Sequence, residues 1–387
     1  MHRIACPERP DWLATAETHG FLFHTLEGDP YWDESAYFGF TLRQIEEEFE
    51  KPSEDLHSLC LDLLDRLIWD ERALQRLAIP EVAWEPIAAS WQRRDPSLYG
   101  RFDLAYDGTG PAKLLEYNAD TPTSLYETAV FQWLWLEQGL ERGLVPAGFD
   151  QFNSAHEKLI ARFAAIAADR PIHFTCIADA PEDRGTVAYL EDCARQADLR
   201  TGFVPVDSIA LGADASFVDA AGERIELLFK LYPWEWAFAD TFGRALRRTP
   251  TRFLEPPWKA ILSNKGFLAM LWAAEPGHPN LLPTYFEDDP AKAELGPSFA
   301  RKPLLSREGA NVLLVENGQV VERDEGPYGA EGFVRQALAP MFRSEHGTAV
   351  IGSWMVGDDA AGIGLRESEG RITTNRSRFL PHAILPD

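Results

Sequence analysis

From about residue 150 the chain alternates two periodicities, and that alternation limits the fold more than any other feature. AHEKLIARFAAIAAD and RGTVAYLEDCARQA repeat apolar residues at three- and four-residue steps, the pattern of helices with one buried face. IHFTCIAD and RTGFVPV, which follow them, are short runs bounded by turn residues and read as strands. ERIELLFKLY adds a strand and WEWAFADTFGRAL a helix. Such alternation predicts an open sheet with helices packed on it, an α/β (α+β) fold.

The flanking segments are organised differently. LRQIEEEFE and EDLHSLCLDLLDRLIWDERALQRL predict two amphipathic helices, and SLYETAVFQWLWLEQGL a third. SFARKPLLSREGANVLLVENGQVV predicts two strands around a glycine-containing loop, and TAVIGSWMVGDDAAGIGLRESEGRITTN is strand-rich. No Pro/Ser-rich linker separates these blocks, so approximate parts 1–150, 151–255 and 256–387 are expected to pack as one unit.

FDLAYDG…GPAKLLEYNA predicts a hairpin with Gly108 and Gly110 in its turn. Glu116 and Asn118 are two residues apart and therefore share a face, which Asp103 joins from the partner strand. Two carboxylates and an amide oxygen are hard ligands, suited to Mg²⁺ that also holds phosphate oxygens. The competing reading is a polar strand end followed by a helix capped by Asp120, Thr121 or Thr123. Arg101 shares the face of Asp103, where a guanidinium could grip a carboxylate or phosphate.

Other candidates are weaker alone. Lys302 precedes a loop carrying Ser306, Gly309 and Ala310, whose small residues could admit phosphates to the backbone N–H groups; a plain hairpin fits as well. Ser263 or Asn264 can cap a helix beginning near Lys265, and a lysine there opposes the helix dipole. Glu182 and Asp183 lie at a predicted helix start, where acidic residues favour the dipole or could hold a cation. Arg366 follows two glycines, and His278 reads as a turn residue.

Composition excludes several classes. A net charge of −24 repels nucleic acid and anionic lipid, and suits cationic ligands such as amines. The start, MHRIACPERPDWLATAE, has no apolar signal core, and no stretch is long enough to span a membrane. Cys6, Cys60, Cys176 and Cys193 form no C-x-x-C pair, as expected of reduced thiols in a cytoplasmic protein.

RFD, LLEYNADTPTSLYE, FKLYPWEWAF, EPPWKAILSNKGFLAMLW, ARKPLLSREGANV and GIGLRES stand in the order found in one family. Over most of its length the chain resembles the synthetase domain of the glutathionylspermidine synthetases and their stand-alone acid–amine ligase homologues. The resemblance implies an ATP-grasp-like fold, with the nucleotide between two α/β parts and a glycine loop over its phosphates. It puts Mg²⁺ on Asp103, Glu116 and Asn118. It puts ATP on Lys265, Lys302, Ser306, Arg307, Gly309, Ala310 and Asn311, with an adenine-contacting linker at Gln336, Ala337 and Leu338.

Arg101 and Arg366 match catalytic arginines. Arg101, Thr121, Thr123 and Asp183 would hold the acid, with Glu182 facing the amine. The implied reaction joins a small, peptide-like carboxylic acid to an amine such as a polyamine, through an acyl phosphate, with release of ADP and phosphate. The alternatives are a small-molecule kinase or ATPase, and a nucleotide-binding module without catalysis. Where the glutathione-using members carry serines, this chain has Thr121 and Thr123; where they carry threonines, it has Leu231 and Trp236. A site that loses hydroxyls and gains an indole is expected to hold a different acid.

Overall fold

The expected hairpin forms: Tyr99–Ala105 pairs antiparallel with Lys113–Asn118, and left-handed Gly108 and Gly110 turn the chain between them. This computed structural model describes every residue except 27, 168, 169 and 387. The hairpin is one edge of a larger antiparallel sheet. Tyr99–Ala105 pairs with Gly347–Val356, which pairs with Asp359–Ser368 and then Arg378–Leu380. Strands from the first and last parts of the chain thus build one sheet, and they bring residues some 250 positions apart into register, as in Asp103 opposite Gly352.

The α/β segment forms the expected open sheet, and it is parallel. Its order is Arg252–Leu254, Leu227–Leu231, Ile172–Cys176, Thr201–Phe203. Every residue of Leu227–Leu231 is buried, as in parallel strands covered on both faces. Helices Ala155–Ala167 and Pro181–Gln196 cover one face, packing Leu159, Phe163, Val187 and Leu190 on Phe174 and Phe229. The opposite face meets Trp234, Phe238 and Phe217.

A third, antiparallel sheet runs Thr284–Phe286, Phe333–Gln336, Phe299–Pro303, Leu313–Glu316, Gln319–Arg323. It contains the two strands expected around the glycine loop and three more. The two amphipathic helices expected between residues 42 and 76 differ in detail. A wide turn at Ile45–Glu50 runs without a break into Lys51–Leu67, so one helix carries both patterns and Glu71–Arg76 stands apart. Leu56, Cys60, Leu63 and Leu64 face inward along it. His278 serves a turn, its Nδ1 accepting the Asn280 N–H. All four cysteines are free and buried. Among the described residues no helix is long and apolar enough to cross a membrane.

A buried ion pair locks the hairpin to the helical turn Lys259–Leu262. Lys259 Nζ lies 2.8 Å from Glu255 Oε2, and both side chains are fully buried. Glu255 also accepts the N–H groups of Leu98 and Tyr99, while Lys259 donates to the Tyr99 carbonyl. Breaking one half of such a pair strands a charge without water. Glu255→Ala is therefore expected to lower unfolding free energy by about 3–5 kcal/mol. Denaturant titration checks this, and a shift below about 1 kcal/mol would show that the pair does not hold the layers.

Candidate active site

Asp103 and Glu116 are paired residues on adjoining strands, and Arg101 is paired with Asn118. All four side chains gather on one sheet face. The Asn118 amide donates to Asp103 Oδ2 (3.0 Å) and to Glu116 Oε1 (3.1 Å), so one nitrogen bridges the two carboxylates. Arg101 grips Asp103 through Nε (2.6 Å) and Nη2 (3.0 Å), and its Nη1 donates to the Thr123 carbonyl. Room for that guanidinium comes from Gly352, where a Cβ would stand 2.7 Å from Arg101 Cδ. Burial raises the Asp103 carboxyl above its ordinary range, and the Glu116 charge adds to the rise, while Arg101 opposes it.

Two lysines from separate elements complete the charge balance. Lys265, beside the first turn of Gly266–Ala274, places Nζ 2.9 Å from Glu116 Oε2 and donates to the Ser306 carbonyl. Asn264 supplies that helix's cap, its Oδ1 accepting the Gly266 N–H. Ser263 instead accepts the N–H groups of Ala119 and Asp120. Lys302, on Phe299–Pro303, donates to the Leu115 carbonyl (2.9 Å) and to Gln336 Oε1 (2.7 Å). Burial pushes the Glu116 carboxyl up, but the two ammonium groups outweigh it and hold it at about 2. Burial lowers Lys302 to about 8, with Lys265 adding to the fall.

These groups stand at the mouth of a cleft with an apolar interior. Ala300, Val312, Leu314, Leu338 and Ile372 form its walls, with Gln336 and Ala337 beside them. A flat heteroaromatic ring fits such walls, and the charged mouth fits phosphates with a divalent cation. The donor set suits that cation: two partly buried like charges already share one bridging donor. Half a turn of the Asn118 amide would offer its oxygen instead. No group of three or more His, Cys, Asp or Glu side chains is arranged to hold a metal ion among the described residues. Two carboxylates leave coordination positions for phosphate oxygens and water, the pattern of Mg²⁺ rather than of a closed protein cage.

The 306–311 loop reaches two clefts. Gly309 lines the apolar one and packs so closely on Ile372 and Thr373 that a Cβ would lie 2.6 Å from each. Glu308, Gly309 and Asn311 all have positive φ, which gives the loop its sharp bends. Ala310 donates to the Arg307 carbonyl, and Asn311 Oδ1 is taken by the Tyr328 N–H. The Ser306 hydroxyl is buried with no partner among the described residues.

Arg307, expected on the nucleotide, turns the other way. It donates to Thr121 Oγ1 (2.8 Å) and Glu235 Oε1 (3.2 Å), and lies 5.4 Å from the centre of the Trp236 ring. Trp236 is on the cleft edge, whereas Leu231 is buried in the core. Asp120 does not cap the following helix. It accepts the Lys230 ammonium (2.6 Å) and the Trp234 N–H, 114 positions along the chain.

Arg366 stands across the sheet from Arg101, held by the carbonyls of Thr374, Asn375 and Ser377. It donates to Ser124 Oγ at 3.2 Å, and its guanidinium carbon lies 4.9 Å from the centre of the Tyr31 ring. The Tyr31 hydroxyl bonds Ser124 and the fully buried Glu127, whose second oxygen has no partner among the described residues. Glu182 and Asp183 begin helix Pro181–Gln196 nearby. Burial, then Glu127, raises Glu182 to about 7, and burial raises Asp183 to about 6. Sequence reading missed Tyr31, Ser124 and Glu127. Ser124 carries the one local clue, a left-handed φ of +68°, and no residue type announces it.

The chain has relatives among known proteins. A Haemophilus influenzae protein described provisionally as an acid–amine ligase is 40% identical over 396 residues, with 98% of each chain covered. The trypanothione synthetase of Crithidia fasciculata is 29% identical over 84% of this chain, which spans 53% of that longer protein. Among solved structures, a glutathione synthetase-like effector of Globodera pallida, in its apo form, superposes with a TM-score of 0.59. It shares 11% identity, with 98% of each chain covered, a likeness of fold alone. The sequence model of one family matches residues 3–385, and the chain belongs to that family, described as glutathionylspermidine synthase preATP-grasp.

Proposed function

We propose that this chain uses ATP to join a small carboxylic acid to an amine, releasing ADP and phosphate. One observation carries the reading. Two carboxylates and two buried ammonium groups meet where an apolar cleft adjoins a second cleft holding Arg307, Thr121 and Glu235. A triphosphate in the first cleft and an acid in the second would meet at that junction. The family is one of ATP-dependent ligases, and membership sets the reaction class.

Asp103, Glu116 and Asn118 would hold Mg²⁺, which when bound neutralises and aligns the phosphates. Lys265 and Lys302 offset further phosphate charge, and the orphan Ser306 hydroxyl is free to donate to a phosphate oxygen. The substrate carboxylate, oriented by Arg101, attacks the γ-phosphorus in line; the bond to the β-phosphate oxygen breaks, leaving ADP and an acyl phosphate. The amine then attacks the acyl carbon and phosphate departs. Arg366 would stabilise charge on that group. In the phosphoryl-transfer step the contribution is positioning and charge neutralisation. A seated 306–311 loop excludes water from the acyl phosphate.

The acid would be peptide-like and the amine polyamine-like, on the pattern of the relatives. Trp236, against Arg307 of the acid cleft, would alter that cleft from the glutathione-using pattern, while Leu231 is buried in the core. Glu182 would meet the amine, which arrives protonated. As a carboxylate it attracts the cation and accepts its proton.

Incubation with ATP and a metabolite extract, followed by mass spectrometry, tests the class. An amide product with stoichiometric ADP is expected, and a stable phosphorylated product without amide would identify a kinase instead. Lys302→Ala and Glu116→Ala are each expected to cut acid-dependent ADP release by about 10²-fold or more, with the circular dichroism of the parent retained. Turnover within threefold or so of the parent would remove either residue from the phosphate site. Glu182 titrates near pH 7, so amide formation should rise as pH increases through about 7. In Glu182→Gln that limb should flatten, and its persistence would assign the titration to another group.

A further inference from the structure

A second cavity lies on the face of the parallel sheet turned away from helices Ala155–Ala167 and Pro181–Gln196. Its floor is made by Leu228, Lys230 and Tyr232, alternate residues of one strand and its extension, with Thr175 and Phe253 from the strands on either side. Trp234 and Ala237 of helix Trp234–Ala239 form one wall, and Phe217 with Leu246 form another. Thr175 and Lys230 are register partners near the carboxyl ends of parallel strands. In open α/β sheets that is where ligands bind.

The cavity is apolar except at its mouth, where the exposed Asp240 carboxylate accepts from the Tyr232 hydroxyl, and at this end, where two buried donors stand side by side. Thr175 is 1% exposed and its hydroxyl has no partner among the described residues. An unmade hydrogen bond at a buried hydroxyl is costly, so such groups commonly mark a site for a missing partner. Lys230 is 3% exposed. Its ammonium has three N–H groups, of which Asp120 Oδ1 and the Tyr232 carbonyl account for two, and it lies 4.3 Å from the centre of the Trp234 ring, a weaker contact that an oxygen acceptor can displace. Asp120 already balances the Lys230 charge, so a second carboxylate there would be repelled and an amine would meet a cation. A neutral oxygen avoids both penalties and accepts from both donors.

We propose that this cavity binds a small apolar molecule ending in one neutral oxygen acceptor, an amide or ketone. The ligand's hydrocarbon body lies among Leu228, Phe217, Leu246 and Phe253, and its oxygen meets Thr175 and Lys230. Asp120 belongs to the loop that carries Thr121, so the cavity and the acid cleft share one wall, the Lys230–Asp120 pair.

Hexanamide, hexanoate and hexylamine, titrated separately into the full chain and followed by ligand-observed NMR, test the assignment without requiring turnover. Its failure is therefore separate from any failure of the ligase reading. Hexanamide should bind in the millimolar range, hexanoate more weakly, and hexylamine not at all. Thr175→Val should weaken hexanamide about tenfold, the loss of one hydrogen bond. Ala237→Leu, which fills the cavity, should abolish binding; Thr175→Val alone decides if that variant does not fold. The proposal is overturned if hexanamide does not bind at millimolar concentration or binds Thr175→Val equally well. Hexanoate or hexylamine binding as tightly as the amide would overturn it too.

Discussion

Asp103 and Glu116 face one another across a hairpin, both partly buried at the mouth of a cleft, and two like charges there repel unless something intervenes. The fold answers with three cations drawn from three elements. Arg101 comes from the same strand as Asp103, Lys265 from the start of a helix, and Lys302 from another sheet. None of these could be buried alone at tolerable cost. Burial of the carboxylates therefore requires docking of the antiparallel sheet and the 266–274 helix against the hairpin. The site is part of what holds the layers in register, which ties local chemistry to global architecture.

The same constraint explains one glycine of the central sheet. A guanidinium lying flat against a sheet needs a place without a side chain, and Gly352 provides it. Its partner on the adjoining strand, Gly364, makes room instead for Thr128 and Phe379, since a Cβ there would meet Thr128 Oγ1 at 2.5 Å. The β-propensity lost at Gly352 is about 1 kcal/mol, small beside the cost of leaving Arg101 without a place beside Asp103.

Much of this was legible in the residues because it is local. Period-two spacing put Glu116 and Asn118 on one face, and turn glycines fixed their partner strand. The α/β alternation gave the sheet with its helices, though parallel order and the joining of first and last parts needed the structure. What escaped depends on contacts between distant segments. Asp120 looked like a local cap, yet its carboxylate caps a helix 114 positions away and neutralises Lys230. Arg307 sits in a phosphate-type loop, yet Thr121 and Glu235 draw it to the other cleft. Glu127 and Tyr31 meet across 96 positions, with no periodicity to connect them.

Arg307 also bears on the order of events under the proposed chemistry. The loop that carries it presents Gly309 to the nucleotide cleft and Arg307 to the acid cleft, two residues apart. Three of the four residues 308–311, all but Ala310, take positive φ, so the loop is a bent unit rather than a compliant tether. Seating Gly309 on Thr373 and docking Arg307 on Thr121 are then parts of one movement. A nucleotide that favours the seated loop also favours a complete acid cleft, and by linkage the acid favours nucleotide retention to the same degree. Such coupling would delay closure until both partners are present, which protects an acyl phosphate from water at the moment it forms.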